Sequence, residues 1–84
     1  MNYVDIIEKT LRECFHPDLL EVFDESELHR GHAGFTEGKQ THFRIVISAK
    51  IFENMARVSR ERAIHKALGS GIIQKIHAIS IKFQ

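Results

Sequence analysis

Thr41-His42-Phe43-Arg44-Ile45-Val46-Ile47-Ser48-Ala49 is the stretch that decides how this 84-residue chain is read. Thr41, Phe43, Ile45, Ile47 and Ala49 share one parity, and His42, Arg44, Val46 and Ser48 share the other. Successive side chains of a strand point to opposite faces, so this alternation predicts a half-buried strand. His42 falls on the polar side, where a cross-strand partner is a better reading than a metal ligand.

Upstream, Glu25 to Gln40 is polar and broken by Gly31, Gly34 and Gly38. A loop this long in so small a domain is functional or disordered, and it is expected to be the most mobile region. It carries His29 and His32. Before it, Leu19 to Asp24 reads as a short strand, with Leu19 and Phe23 on one face and Leu20 and Val22 on the other. Residues 2–15 read as a helix. Asn2 is a suitable cap and Asp5 suits the positive end of the dipole. Val4, Ile7, Leu11, Cys14 and Phe15 form its apolar stripe, which makes Cys14 a small buried hydrophobe. Pro17 stops the helix, because the residue before proline avoids the helical region.

Downstream, Ile51 to Met55 reads as a turn, and Arg57 to Leu68 as a second helix. Ala63, Ile64, Ala67 and Leu68 form its apolar stripe, and Gly69 suits its end. Arg57, Arg60, Arg62 and Lys66 stay outside that stripe, with a solvated His65 beside them. Ile76 to Phe83 reads as the last strand, with His77, Ile79, Ile81 and Phe83 on one face.

The element order predicts an α+β fold, α-β-β-α-β, built as one domain over residues 1–84. The first two strands should pair antiparallel. The crossover helix should make the second and third strands parallel, by a right-handed connection. Both helices would then cover one face of a three-stranded mixed sheet.

Composition narrows the function. Apolar residues make up 43% and Gly plus Pro only six residues, which is globular and excludes a fibre or a linker. No apolar run approaches membrane-spanning length, and no leader opens the chain, so a cytoplasmic protein without membrane contact is expected. A single cysteine excludes an internal disulfide and suits a reducing compartment. The net charge of +1 hides an asymmetry. Residues 1–28 hold two basic and eight acidic residues, and residues 57–84 hold six and one. Such a bipolar chain suits a nucleic-acid face or a partner-docking face.

No catalytic triad, GxGxxG or phosphate loop is present, so the chain is not expected to be an enzyme. Six histidines stand out, at 16, 29, 32, 42, 65 and 77. His29 and His32 are three apart and within reach of one ion, but that spacing is weak. His77 shares parity with Ile79 and Ile81 yet opens the strand; on the residues alone, a rim histidine bonded to backbone is the reading to prefer.

Several pieces in order resemble the BolA family: His29-Arg30-Gly31-His32 after Asp24-Glu25-Ser26, Thr41-His42-Phe43, Phe52, and Ile76-His77-Ala78-Ile79-Ser80-Ile81. The match runs through nearly the whole chain. The resemblance implies a class II KH-like fold and a heterodimer with a monothiol, CGFS-type glutaredoxin. It implies a [2Fe-2S] cluster shared with the glutaredoxin cysteine and glutathione. The implied ligands from this chain are His77 and a loop residue, His29, with His32 as the alternative. No cofactor is expected to be needed for folding, and the apo protein is expected to be a monomer. Two positions depart from the family pattern: Glu61 stands between Arg60 and Arg62 where a histidine is frequent, and Asn54 stands where glycine is usual. DNA is the competing partner. Gly69-Ser70-Gly71 is not the GxxG loop with which KH domains clamp a backbone, but Arg57, Arg60, Arg62 and Lys66 could meet phosphates.

Overall fold

The computed structural model describes residues 3–25, 42–76 and 78–84. Its first element is helix α1, Tyr3–Phe15, followed by strand β1, Leu19–Asp24. Strand β2 spans His42–Ser48, and a single 3-10 turn covers Lys50–Phe52. Helix α2, Arg57–Leu68, a short helix α3, Ser70–Lys75, and strand β3, Ala78–Phe83, complete the chain. The sheet order is β1-β2-β3. β1 pairs antiparallel with β2, from Leu19 opposite Ser48 to Asp24 opposite Phe43. β3 pairs parallel with β2, from Ala78 beside His42 to Phe83 beside Ile47. This is the mixed three-stranded sheet expected from the sequence, and its element order is compatible with a class II KH-like arrangement.

Alternation fixes the core. Phe43, Ile45 and Ile47 point from β2 toward the helices and are buried with Ile7 and Leu11 of α1 and Ile64 and Leu68 of α2. Phe52 completes that core. Its ring lies 5.0 Å from Phe15 and 5.3 Å from Phe83, so one aromatic side chain ties α1, the 3-10 turn and β3 together.

Four details depart from the sequence reading. First, β2 is not half-buried: Val46 and His42, on its outer face, are only 5% and 6% exposed. β2 is the central strand, so its outer face is flanked by β1 on one side and β3 on the other. Second, Cys14 is exposed. It stands in the last turn of α1, beyond the buried Ile7 and Leu11, so helical spacing alone overstated its burial. Third, α2 is followed by α3, which the sequence did not reveal. Gly69 breaks the helix at φ +84°, a conformation that suits glycine, and the chain re-enters helix for six residues. Ile72 and Ile73 then pack against the core, and β3 begins at Ala78 rather than Ile76. Fourth, α1 ends at Phe15, where the sequence reading put it, but through His16 at φ +47°, whose amide bonds the Arg12 carbonyl at 3.1 Å. A left-handed cap therefore ends the helix ahead of Pro17. The Asn2 cap, and all but Glu25 of the loop from Glu25 to Gln40 expected to be the most mobile region, lie outside the described residues.

Phe52→Ala should lower unfolding free energy by about 3–5 kcal/mol, the usual cost of emptying a packed aromatic site. Val58→Ala, on the exposed side of α2, should change it by less than about 0.5 kcal/mol. Urea denaturation of both variants measures the difference, and equal midpoints would contradict this account of the core.

Candidate functional site

The strand register brings one end of the sheet together. Glu25, just past β1, donates its amide to the carbonyl of His42 at 2.8 Å, which closes the root of the connection between β1 and β2. His42 lies beside Ala78, the first residue of β3. Two strand spacings separate the end of β1 from the start of β3, about 10 Å. His29, His32 and His77 themselves lie outside the described residues; the residues flanking them are the ones gathered here.

A cross-strand clasp stabilises that root. Phe23 and Arg44 are direct partners in the β1–β2 pairing. The Arg44 guanidinium sits 4.4 Å from the Phe23 ring centroid, and its Nε donates to the Glu25 carboxylate at 2.8 Å. A cation on a ring face and a charge-assisted hydrogen bond are thus made by one side chain. The sequence reading did not single out this clasp. Its signal was available once β1 and β2 were set antiparallel, because that register puts position 23 opposite position 44.

On the helix side, His65, Ile73, Ile76, Ala78 and Ile79 line a small cleft of about 90 Å³. It flanks position 77 on both chain sides. His65 is exposed, as expected for a solvated helix histidine. Among the described residues, no group of three or more His, Cys, Asp or Glu side chains could hold a metal ion. Cys14 belongs to the opposite end. Tyr3 at the start of α1 meets Phe43, whereas Phe15 beside Cys14 meets Phe52. Eleven helical residues from Tyr3 to Cys14 correspond to about 16 Å.

The four bases proposed for phosphate contact do not form one stripe. Arg57 donates to the Ile81 carbonyl at 3.2 Å, and Arg60 donates through Nε to the Met55 carbonyl at 2.9 Å. Both guanidinium groups also lie near the Phe83 ring, at 6.0 and 5.5 Å. Arg57 further pairs with Glu61 at 3.5 Å. Arg62 and Lys66 are exposed on the other side of α2, at i and i+4 spacing. Arg60 instead borders a cleft of about 280 Å³ at the far end of the sheet, where Asp18, Lys50 and Glu53 mix both signs of charge. Among the described residues, no helix is long and apolar enough to cross a membrane.

These features define a small α+β domain whose polar loop root and last strand converge at one end of the sheet. The BolA-like protein family model matches residues 11–84, and the chain belongs to the BolA family. It is 40% identical over 83 residues to a Sinorhizobium protein named only as the uncharacterized protein in the cobS 5′ region, covering 98% of this chain and 89% of that one. It is 31% identical to the DNA-binding transcriptional regulator BolA of Vibrio cholerae, covering 92% of this chain and 69% of the relative. Its fold matches BolA1 from Arabidopsis thaliana with a TM-score of 0.83 at 31% identity, covering 100% and 92% of the two chains.

Arg44→Ala removes the stack on Phe23 and the tie to Glu25. The Glu25 amide should then exchange with solvent roughly five- to tenfold faster, as expected when about 1 kcal/mol of local stabilisation is lost. Unchanged protection of that amide would show that the clasp does not hold the loop root.

Proposed function

We propose that this BolA-family protein pairs with a CGFS-type monothiol glutaredoxin and shares with it a bridging [2Fe-2S] cluster, with His77 and His29 as its own ligands and His32 as the alternative loop ligand. The observation that carries the reading is the convergence of Glu25, His42 and Ala78 at one end of the sheet. Covalent reach supports the pairing. His77 is one residue from Ala78, and His29, four residues from Glu25, lies within about 14 Å of it.

Ligand counting supports the same donor set. A [2Fe-2S] cluster takes four ligands, and histidine can stand in for cysteine. The glutaredoxin cysteine and glutathione supply two thiolates, leaving two positions. Cys14 is accessible, but its helix turn stands at the opposite end of the sheet, so position rather than burial argues for nitrogen donors. When bound, the cluster supplies one-electron chemistry and a transferable iron-sulfur unit. Two neutral imidazoles in place of thiolates leave the centre less negative and raise its potential relative to an all-thiolate site. The chain's own work is to hold one imidazole next to a strand and to bring the other from the loop whose root Arg44 and Glu25 clasp.

The test combines this protein with a CGFS glutaredoxin, glutathione, iron and sulfide. A one-to-one heterodimer with the visible absorption and circular dichroism of one [2Fe-2S] cluster is expected. His77→Ala should lose that spectrum and keep the far-ultraviolet signature of the apo fold. His29→Ala should weaken it, or leave it intact with the loss appearing only in the His29→Ala/His32→Ala double variant. Cys14→Ser should leave it unchanged. A wild-type spectrum from the His77→Ala protein would overturn the ligand assignment.

DNA binding is the second reading, favoured by the name of the Vibrio relative and by the exposed bases of α2. Because Arg57 and Arg60 are engaged with backbone carbonyls, Arg62 and Lys66 are the pair to test. Neutralising both should reduce the log–log salt slope of duplex binding by about 1.8, at roughly 0.9 per phosphate contact. A slope unchanged in the double variant removes α2 as the DNA-binding element.

A further inference from the structure

The fold sorts the charge of the chain across its sheet. Residues 3–25, which form α1 and β1, hold seven acidic and two basic residues, a net of −5. Residues 57–84, which form α2, α3 and β3, hold six basic and one acidic residue, a net of +5. β1 and β3 are the two edges of the sheet, with β2 between them. α1 packs on β1. α2 runs along β3, since Arg57 reaches Ile81 at one end and His65 borders Ala78 and Ile79 at the other. The β1 edge of the sheet is therefore acidic and the β3 edge basic. Glu13, Glu21, Arg62, Lys66, Lys75 and Lys82 are all exposed.

We propose that these two sides dock on each other between copies: the acidic α1–β1 side of one molecule meets the basic α2–β3 side of the next. The occupant is a second copy because the complementary charges are both present on one chain, at opposite edges. Such a contact uses two different surfaces, so it is head-to-tail and does not close at a dimer. The edge of β3 limits how tight it becomes. The Gln84 amide bonds the Ile47 carbonyl of β2. By strand alternation, the Ile81 carbonyl then points to the open edge, and Arg57 already occupies it. A side chain seated on an edge carbonyl blocks strand addition there. Association rests on side-chain charge, and salt dissolves it, in place of the strictly monomeric apo protein expected from the sequence.

Sedimentation velocity of the full chain tests this across protein concentrations at low and high salt. The screening length is about 30 Å at 0.01 M and about 3 Å at 1 M. The weight-average sedimentation coefficient should climb with concentration at 0.01 M and stay at the monomer value at 1 M. Arg62→Glu/Lys66→Glu replaces two positive charges of the basic side with two negative ones, and Glu13→Lys/Glu21→Lys replaces two negative charges of the acidic side with two positive ones, a net change of four units each. Each double variant alone should remain monomeric at low salt. Their mixture should form a one-to-one pair and stop there, because each partner keeps one intact side. Far-ultraviolet circular dichroism confirms that both variants are folded. A wild-type protein that stays monomeric at low salt, an association that persists at 1 M, or a mixture that does not pair would each overturn the proposal.

Discussion

Everything in this molecule depends on β2 being paired on both edges and buried on both faces. Its helix-facing residues Phe43, Ile45 and Ile47 supply the floor of the core. Its outer-face residues His42 and Val46 are nearly as well covered. A strand in that position cannot shift by one residue without moving its whole apolar set to the wrong face. The register with β1 and β3 is thereby fixed, and with it the end of the sheet where the polar loop is rooted.

That fixed register gives the candidate site its meaning. Neither His29 nor His77 is near the other in sequence, and nothing in their own neighbourhoods brings them together. Parallel pairing starts β3 beside His42, and antiparallel pairing ends β1 at the same level. A mixed sheet of this order therefore delivers two chain segments, about fifty residues apart, to one end of the sheet. Arg44 contributes by holding Phe23 and Glu25, so the loop leaves from a defined point rather than from a frayed strand end.

Charge has two separate uses here. Arg57 and Arg60 are engaged within the molecule, on carbonyls of β3 and of the turn before α2, with Phe83 beside them. Arg62, Lys66, Lys75 and Lys82 remain exposed on the basic α2–β3 edge. A count of basic residues along α2 joins these two groups. Their hydrogen bonds separate them, and only the second is offered to a partner, whether phosphate or protein.

The sequence by itself determined the strands, both long helices and their order, because each carries a strong period: two in Thr41 to Ala49, three and four in Val4 to Phe15 and Ala63 to Leu68. It also carried the family resemblance, through short motifs at fixed spacing. Periodicity is a local property, and what it missed was set by distant contacts. Cys14 keeps helical spacing but stands past the part of α1 that packs on the sheet, so it is exposed. His42 and Val46 alternate outward, yet neighbours on both sides cover them. The six residues of α3 are too few for a period, and Gly69 marks a break without saying that helix resumes. The direction in which Arg57 and Arg60 reach was decided by where β3 ends, a position that only the tertiary structure brings beside the start of α2.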